Sequence, residues 1–262
     1  MNLTKTIQES YEQVDRKPIT EIHTSEYTYK ILDAYKSFLA LHNGHDNPTN
    51  FINNLQSHIG TINRPIYTQQ DITEFCFQLV QFESNNSFYS SGIFLSKLIN
   101  DHYDRTHEKK EYVLVTDHLQ KKMHYLCEEN NGANIRVQGS VDAFFAARMK
   151  KGNIILEGNC ESHLGILMEG GFVHVLGNCG TSCGNQMFGG DIKIEGNVGN
   201  LIGSHLFGGV IEVQGNVGTD IGVNMRGGLL KFHEDITGKI SDSINTTEAP
   251  YATIQVNGKR VI

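Results

Sequence analysis

The feature that most limits how this chain can fold is a repeat of constant length. Paired glycines fall at Gly170-Gly171, Gly189-Gly190, Gly208-Gly209 and Gly227-Gly228, a step of 19 residues each time. Two further steps toward the N-terminus reach Lys151-Gly152 and Gly132-Ala133, giving six units in register over 132–245 with no insertion. A fixed period of this size marks a solenoid, in which one unit cannot bury its apolar face until the next stacks on it.

With the residues of each unit numbered 1 to 19, five positions are apolar in all six units. Position 4 reads Ile135, Ile154, Val173, Ile192, Ile211, Leu230, and position 6 reads Val137, Leu156, Val175, Ile194, Val213, Phe232. Position 10 reads Val141, Cys160, Cys179, Val198, Val217, Ile236; position 14 reads Phe145, Leu164, Cys183, Ile202, Ile221, Ile240. Position 18 is Met149, Met168, Met187, Leu206, Met225, Ile244. Positions 4 and 6 alternate with polar neighbours, which is the period of a strand. Position 8 is Gly in five units and position 9 is Asn in four, Asn159, Asn178, Asn197 and Asn216. Both residues tolerate positive φ, so the pair predicts a turn after each strand. A stacked Asn column can also bond its side-chain amides from coil to coil.

The pattern predicts a parallel β-helix rising about 4.8 Å per coil, or roughly 24 Å from the first coil to the sixth. Positions 4, 6 and 9 also spell part of the leucine-rich motif, L-x-L-x-x-N. Against that alternative, the residue three before this motif is Gly rather than Leu, and 19 residues leave no room for a helix in each unit.

Residues 1–110 have a different character, with few glycines and a helical period. Leu3, Ile7, Tyr11 and Val14 fit one short helix that stops before Pro18. Ser25 can cap a second, in which Tyr27, Ile31, Tyr35, Phe38 and His42 share a face that Gly44 ends. Asn47-Pro48 opens a third, striped by Phe51, Leu55 and Ile59, and Gly60 ends it. Thr68 opens a fourth with Ile72, Phe75, Leu79 and Phe82 inward; Ser87 or Ser90 opens a fifth through Phe94, Leu98 and Ile99. The charged stretch 101–110 predicts a linker, 111–116 a strand, and 123–127 a second short strand leading into the first coil. Residues 251–256 and 259–262, separated by Asn257-Gly258, predict a closing hairpin. The last coil has Glu234 and Ser241 where others have glycine, as suits a terminal coil whose edge must be blunted. The expectation is an α+β chain in two parts, a small helical bundle over 1–110 and a β-helix over 132–245. A linker with entry strands at 111–131 joins them, and 246–262 is expected to form a capping hairpin.

A formal charge of -7 argues against a nucleic-acid binder, which would present a basic face. None of the five cysteines makes a close CxxC pair and three fall on interior columns, so reduced thiols in the cytoplasm are expected. Residues 1–10 carry no apolar h-region, and no run approaches the length that spans a bilayer.

One coil reads Gly189-Gly190-Asp191-Ile192-Lys193-Ile194-Glu195-Gly196-Asn197-Val198-Gly199, then Ile202-Gly203 and Leu206 three residues on. Units of this form resemble the GXGXG domain, found in one of the subunits of formylmethanofuran dehydrogenase and in the C-terminal part of the large subunit of glutamate synthase. The resemblance covers 132–245, under half of the chain. It implies a right-handed β-helix without catalytic residues of its own, which braces the catalytic domains or subunits of a larger enzyme.

Candidate sites are few. Cys160, Cys179 and Cys183 lie on neighbouring inward columns and could form a thiolate site, or serve as small buried hydrophobes. His42, His45 and Asp46, and separately Asp101, His102, Asp104 and His107, are polar runs with loose metal-ligand spacing. Glu157 and Glu195 face outward two coils apart, roughly 10 Å, which is wide for a pair of glycosidase carboxylates. Serine-hydrolase, phosphate-loop and H-E-x-x-H motifs are missing, so no catalytic residue, cofactor or metal is assigned. The remaining candidate is apolar: Phe172, Phe188, Phe207, Val210 and Leu229 flank the double glycines outside the interior columns. If they face outward they form a strip across four coils, against which the helical part or a partner packs. The expected function is a non-catalytic scaffold that binds a protein partner or a second copy of itself. One alternative is an accessory subunit of a glutamate-synthase-like or formylmethanofuran-dehydrogenase-like complex. Another is an enzyme acting from the N-terminal region or the junction.

Overall fold

A computed structural model describes residues 25–41, 67–244 and 251–262 of the chain. The helices expected over 3–14 and 47–60, together with His42, His45 and Asp46, lie outside the described residues.

The repeat forms a parallel β-solenoid of six coils. Its strands are β1 (Tyr112–Val115), β2 (Asn131–Gln138), β3 (Val141–Ala143), β4 (Lys151–Leu156), β5 (Cys160–Ser162), β6 (Phe172–Val175), β7 (Cys179–Thr181), β8 (Asp191–Ile194), β9 (Val210–Val213), β10 (Leu229–Phe232), β11 (Thr253–Val256) and β12 (Lys259–Arg260). One sheet runs β1-β2-β4-β6-β8-β9-β10-β11-β12 and a smaller one β3-β5-β7. Pairing is like on like, Ile154 with Val173, Val173 with Ile192 and Ile192 with Ile211. Such a register is specified strongly, because a slip by one residue would turn every apolar side chain outward. All five predicted columns are buried through the first five coils, and in the sixth Ile236, Ile240 and Ile244 are only partly covered.

Two turn devices differ from expectation. Of the glycines at position 8 only Gly139 has positive φ, 124°. The column is there for close approach instead: a Cβ on Gly177 would sit 2.5 Å from the carbonyl oxygen of Gly158. The Asn ladder is also not amide to amide along its length. The Oδ1 of each Asn accepts the backbone N–H of the next, Asn178 N to Asn159 at 2.7 Å and Asn197 N to Asn178 at 2.8 Å. Only Asn216 adds an amide bond, Nδ2 to Asn197 Oδ1 at 3.3 Å.

Outside the paired glycines, positive φ is concentrated at positions 13, 15 and 17, as in His163 (54°), Gly165 (64°) and Leu167 (56°). The backbone there alternates, so successive N–H groups reach opposite neighbours. His163 donates to Thr181 O (2.9 Å) in the coil after it and Gly165 to Phe145 O (2.9 Å) in the coil before it. These bonds offset the left-handed strain, about 1–2 kcal/mol per non-glycine residue. The same corner corrects the prediction for 123–127, which is not a strand. Tyr125 and Cys127 have φ of 56° and 63°, and Tyr125 donates to Ala143 O at 3.0 Å, so this stretch is the corner of an entry coil. That coil begins with β1, which pairs in parallel with β2.

Among the described residues three helices precede the solenoid: α1 (Glu26–Leu41), α2 (Gln69–Gln78) and α3 (Ser91–Thr106). Ser25 Oγ accepts the Thr28 N–H at 3.1 Å to cap α1, and Thr68 and Asp71 form a capping box on α2. The chain after α2 tightens into a 3-10 turn over Leu79–Phe82. The predicted linker is a correction: α3 continues to Thr106 before His107 (φ 49°) ends it, because His102 is buried against Tyr112 and Arg105 pairs with Asp101 one turn back. Tyr35, Phe75 and Phe94 interlock with ring centroids 5.1 to 5.5 Å apart. Their cluster is continuous with the solenoid interior, since α2 packs on β1 and α3 on β2. The described helices thus close the first end of the solenoid, where an open coil would expose unpaired backbone. At the other end β11 stacks in parallel on β10, and the Asn257-Gly258 turn (φ 49° and 73°) returns the chain as β12. No described helix is long and apolar enough to cross a membrane.

Candidate interaction surface

Each coil passes from its last interior residue to its long strand through position 19, the paired residues 1 and 2, and position 3. The second glycine holds the bend: Gly190 and Gly209 both have φ of 88°, and a Cβ on Gly209 would meet the Gly190 carbonyl oxygen at 2.5 Å. Residues on both sides are pinned to the preceding coil, Phe207 N to Met187 O at 2.9 Å and Val210 N to Gly190 O at 3.0 Å. The backbone therefore fixes where these side chains leave the solenoid.

All five predicted strip residues lie outside the interior columns. Phe188 and Phe207 are 53% and 38% exposed, while Phe172, Val210 and Leu229 are half-buried beside them. The Phe188 and Phe207 rings stack with centroids 4.9 Å apart and planes 3° from parallel. The Arg226 guanidinium lies 5.4 Å from the Phe207 ring centroid, within reach of its π face. Asp191 interrupts position 3, and partial burial pushes its carboxyl above the ordinary range. Three contributors were missed in the sequence. Glu169 and Arg226 stand at position 19 of the flanking coils and could have been found by extending that column. Tyr251, 82% exposed, reaches the same corner beside Gly227 only through the pairing of β11 on β10, which no repeat signals.

The other candidates disperse. Cys160, Cys179 and Cys183 are buried and free, joined by hydrogen bonds from Cys160 to Cys179 and from Cys179 to Cys183. The bond to Cys179, with burial, pushes the Cys160 thiol well up. For Cys179 the Cys160 bond acts in the opposite sense, but Cys183 and burial outweigh it. Buried thiols of this kind fill space as small apolar side chains. Asp101 accepts from Tyr67 (2.7 Å) and Arg105, His102 Nδ1 bonds the Tyr112 hydroxyl (2.6 Å), and Asp104 accepts from Asn131 (2.5 Å). Among the described residues no three His, Cys, Asp or Glu side chains gather to hold a metal ion.

On the outward face of the long sheet three glutamates have basic neighbours. Glu157 faces Arg136 (3.4 Å), Glu195 takes His174 (2.6 Å) and Lys193 (2.6 Å), and Glu212 takes Lys231 (3.2 Å) and His233 (2.7 Å). Burial opposes ionisation of Glu195, but the bonds from Lys193 and His174 prevail and hold its carboxyl below the usual range. Burial lowers the basicity of His174. This face is not wholly open to solvent, since Arg136 and His174 are themselves buried in it.

A charged cluster at the junction of α3 and the first coils was also not foreseen. Glu128, 2% exposed, accepts from Arg148, while Glu129 accepts from Arg148 (3.2 Å) and Lys97. Burial pushes Glu128 above the ordinary carboxylate range despite Arg148 and Lys97. Next to it Tyr125, Phe144 and His163 form a second ladder, with centroids 4.5 and 4.8 Å apart.

No family model matches the chain, and no curated protein matches its sequence. The functional reading accordingly rests on the geometry of the corner.

Proposed function

We propose that the chain is a non-catalytic binding platform, a solenoid whose double-glycine corner docks a protein partner inside an assembly. The observation that carries this is the exposure of Phe188 and Phe207, stacked on a backbone that is hydrogen-bonded on both sides of the bend. Aromatic and Arg side chains are the types that dominate protein interfaces. A surface held rigid by its own coils loses little ordering entropy on association. The resemblance to the GXGXG domain supports the same reading, because that domain braces other subunits, and it extends the proposal to an accessory role in a larger enzyme. Five free, buried thiols suit a reducing compartment such as the cytoplasm.

The test is affinity capture of the tagged chain from its native cells, beside a variant with Phe188→Ser and Phe207→Ser shown to be folded by circular dichroism. A stoichiometric partner, an untagged copy of the chain included, is expected with the parent and lost with the variant. The same partner retained by both forms would move the interface elsewhere, and a chain that comes down alone would remove the platform reading.

A further inference from the structure

The four corners in the middle of the solenoid read, in order, Glu169-Gly-Gly-Phe172, Phe188-Gly-Gly-Asp191, Phe207-Gly-Gly-Val210 and Arg226-Gly-Gly-Leu229. An acid stands at one end of column 19, a base at the other, and two stacked phenyl rings between them. Glu169 and Arg226 are both exposed. This order is its own complement when reversed. A two-fold axis set between the second and third corners, perpendicular to the solenoid, carries Glu169 onto Arg226 of a second molecule and Phe188 onto Phe207. It also carries Phe172 onto Leu229.

We infer that the occupant of the corner is a second copy of this chain, laid antiparallel so that Phe188 and Phe207 of both copies meet at the centre and Glu169 faces Arg226 at each end. The inference rests on the platform reading and names its partner. Three observations favour a copy over an unrelated protein. An isologous contact requires each patch to be self-complementary, and the acid, ring, ring, base order satisfies this without any change of conformation. The coils rise by the same step in both molecules, so four corners keep register where a surface of different pitch would match only one or two. The opposite charges would attract in the antiparallel orientation and repel in the parallel one, so they fix the direction of pairing. Two side chains depart from the pattern: Asp191 comes opposite Val210 and adds no attraction, and Tyr251 lies beside one end of the strip only.

The decisive measurement is sedimentation equilibrium of the purified full chain at near-physiological salt, with three variants checked for fold by circular dichroism. The parent is expected to dimerise reversibly. Glu169→Arg alone and Arg226→Glu alone should each weaken the dimer at least about tenfold, because each sets like charges against each other twice. Both changes together should restore it. The two positions lie three coils apart in one molecule, about 14 Å. At that separation salt screens a direct interaction between them, so rescue reports a contact between copies. A parent chain that stays monomeric, a dimer indifferent to either reversal, or a double variant that fails to recover would each overturn the inference. The platform reading is tested separately: a monomeric chain that still captures another protein through Phe188 and Phe207 would sink the second copy and leave the corner as an interface, whereas a monomeric chain that captures nothing would remove both.

Discussion

The solenoid carries two aromatic ladders, and their fates differ. Tyr125, Phe144 and His163 stack at position 13, with the first two rings 5° from parallel; Phe188 and Phe207 stack at position 19, 3° from parallel. Both arrangements follow from the repeat alone, since any aromatic column is brought to ring-stacking distance by the rise of one coil. Stacking is therefore no sign of function in this fold. The first ladder is half-buried beside the helical cap and the Lys97, Glu128, Glu129 and Arg148 cluster. The second is left in solvent with an acid and a base at its ends. Exposure and flanking charge, not ring geometry, single out the corner.

The largest effect should come from the backbone beneath the exposed ladder. Gly209→Val puts a β-branched residue at φ 88° and drives a Cβ to 2.5 Å from the Gly190 carbonyl. Stability measured by urea denaturation is expected to fall by about 4 kcal/mol or more, or the chain not to fold. A mild effect would mean that the corner gives way easily and does not fix the rings above it. Next in size are the rings themselves. Phe144→Ala should cost about 2–3 kcal/mol, less than a fully buried Phe, whereas Phe188→Ser should leave the stability of the isolated chain within about 0.5 kcal/mol. Equal losses at the two sites would erase the distinction between a structural ladder and an interaction ladder.

The contrast also explains what could be read from the chain beforehand. The coils, their five interior columns and the outward corner were legible because each is a property of one residue repeated every 19. The capping of α1 and α2 was legible from Ser25 and Thr68 for a local reason, an oxygen that meets its own helix. What escaped depends on non-repeated contacts. The entry coil has no glycine pair, so Tyr125 and Cys127 looked like a strand. Residues 101–106 looked like a linker because their charges are visible in sequence, while the burial of His102 against Tyr112 is not. Tyr251 belongs to the corner only through a strand pairing outside the repeat.

The covered ladder should further differ from the exposed one in its response to pH. Glu128 has a raised carboxyl pKa, so below the ordinary value, about 4.3, it is protonated in both folded and unfolded chains and costs nothing. As pH rises past that value the unfolded chain releases the proton while the folded one keeps it, and stability declines until the folded carboxyl also ionises. Glu128→Gln has no such loss. Its midpoint of thermal unfolding, relative to the parent, is expected to climb between pH 4 and pH 7. A difference that stays flat would mean that Arg148 and Lys97 fully compensate the buried charge. Phe188→Ser should track the parent across the same range, since no ionising group is altered.

The smallest effect is expected on the long sheet between the two ladders. Lys193→Ala removes one of two bonds to Glu195, and His174 still donates to the same carboxylate. Both members of the pair are about a third exposed, and ion pairs in that setting contribute under about 1 kcal/mol once water and salt screen them. Thermal unfolding of Lys193→Ala should therefore lie within a degree or two of the parent, and dimerisation should not change. A drop of several degrees would show that Glu195 becomes an uncompensated buried charge when Lys193 is lost. The long sheet, where Arg136 and His174 are already buried, would then be a second covered face, and the corner would no longer stand alone as the surface left for a partner.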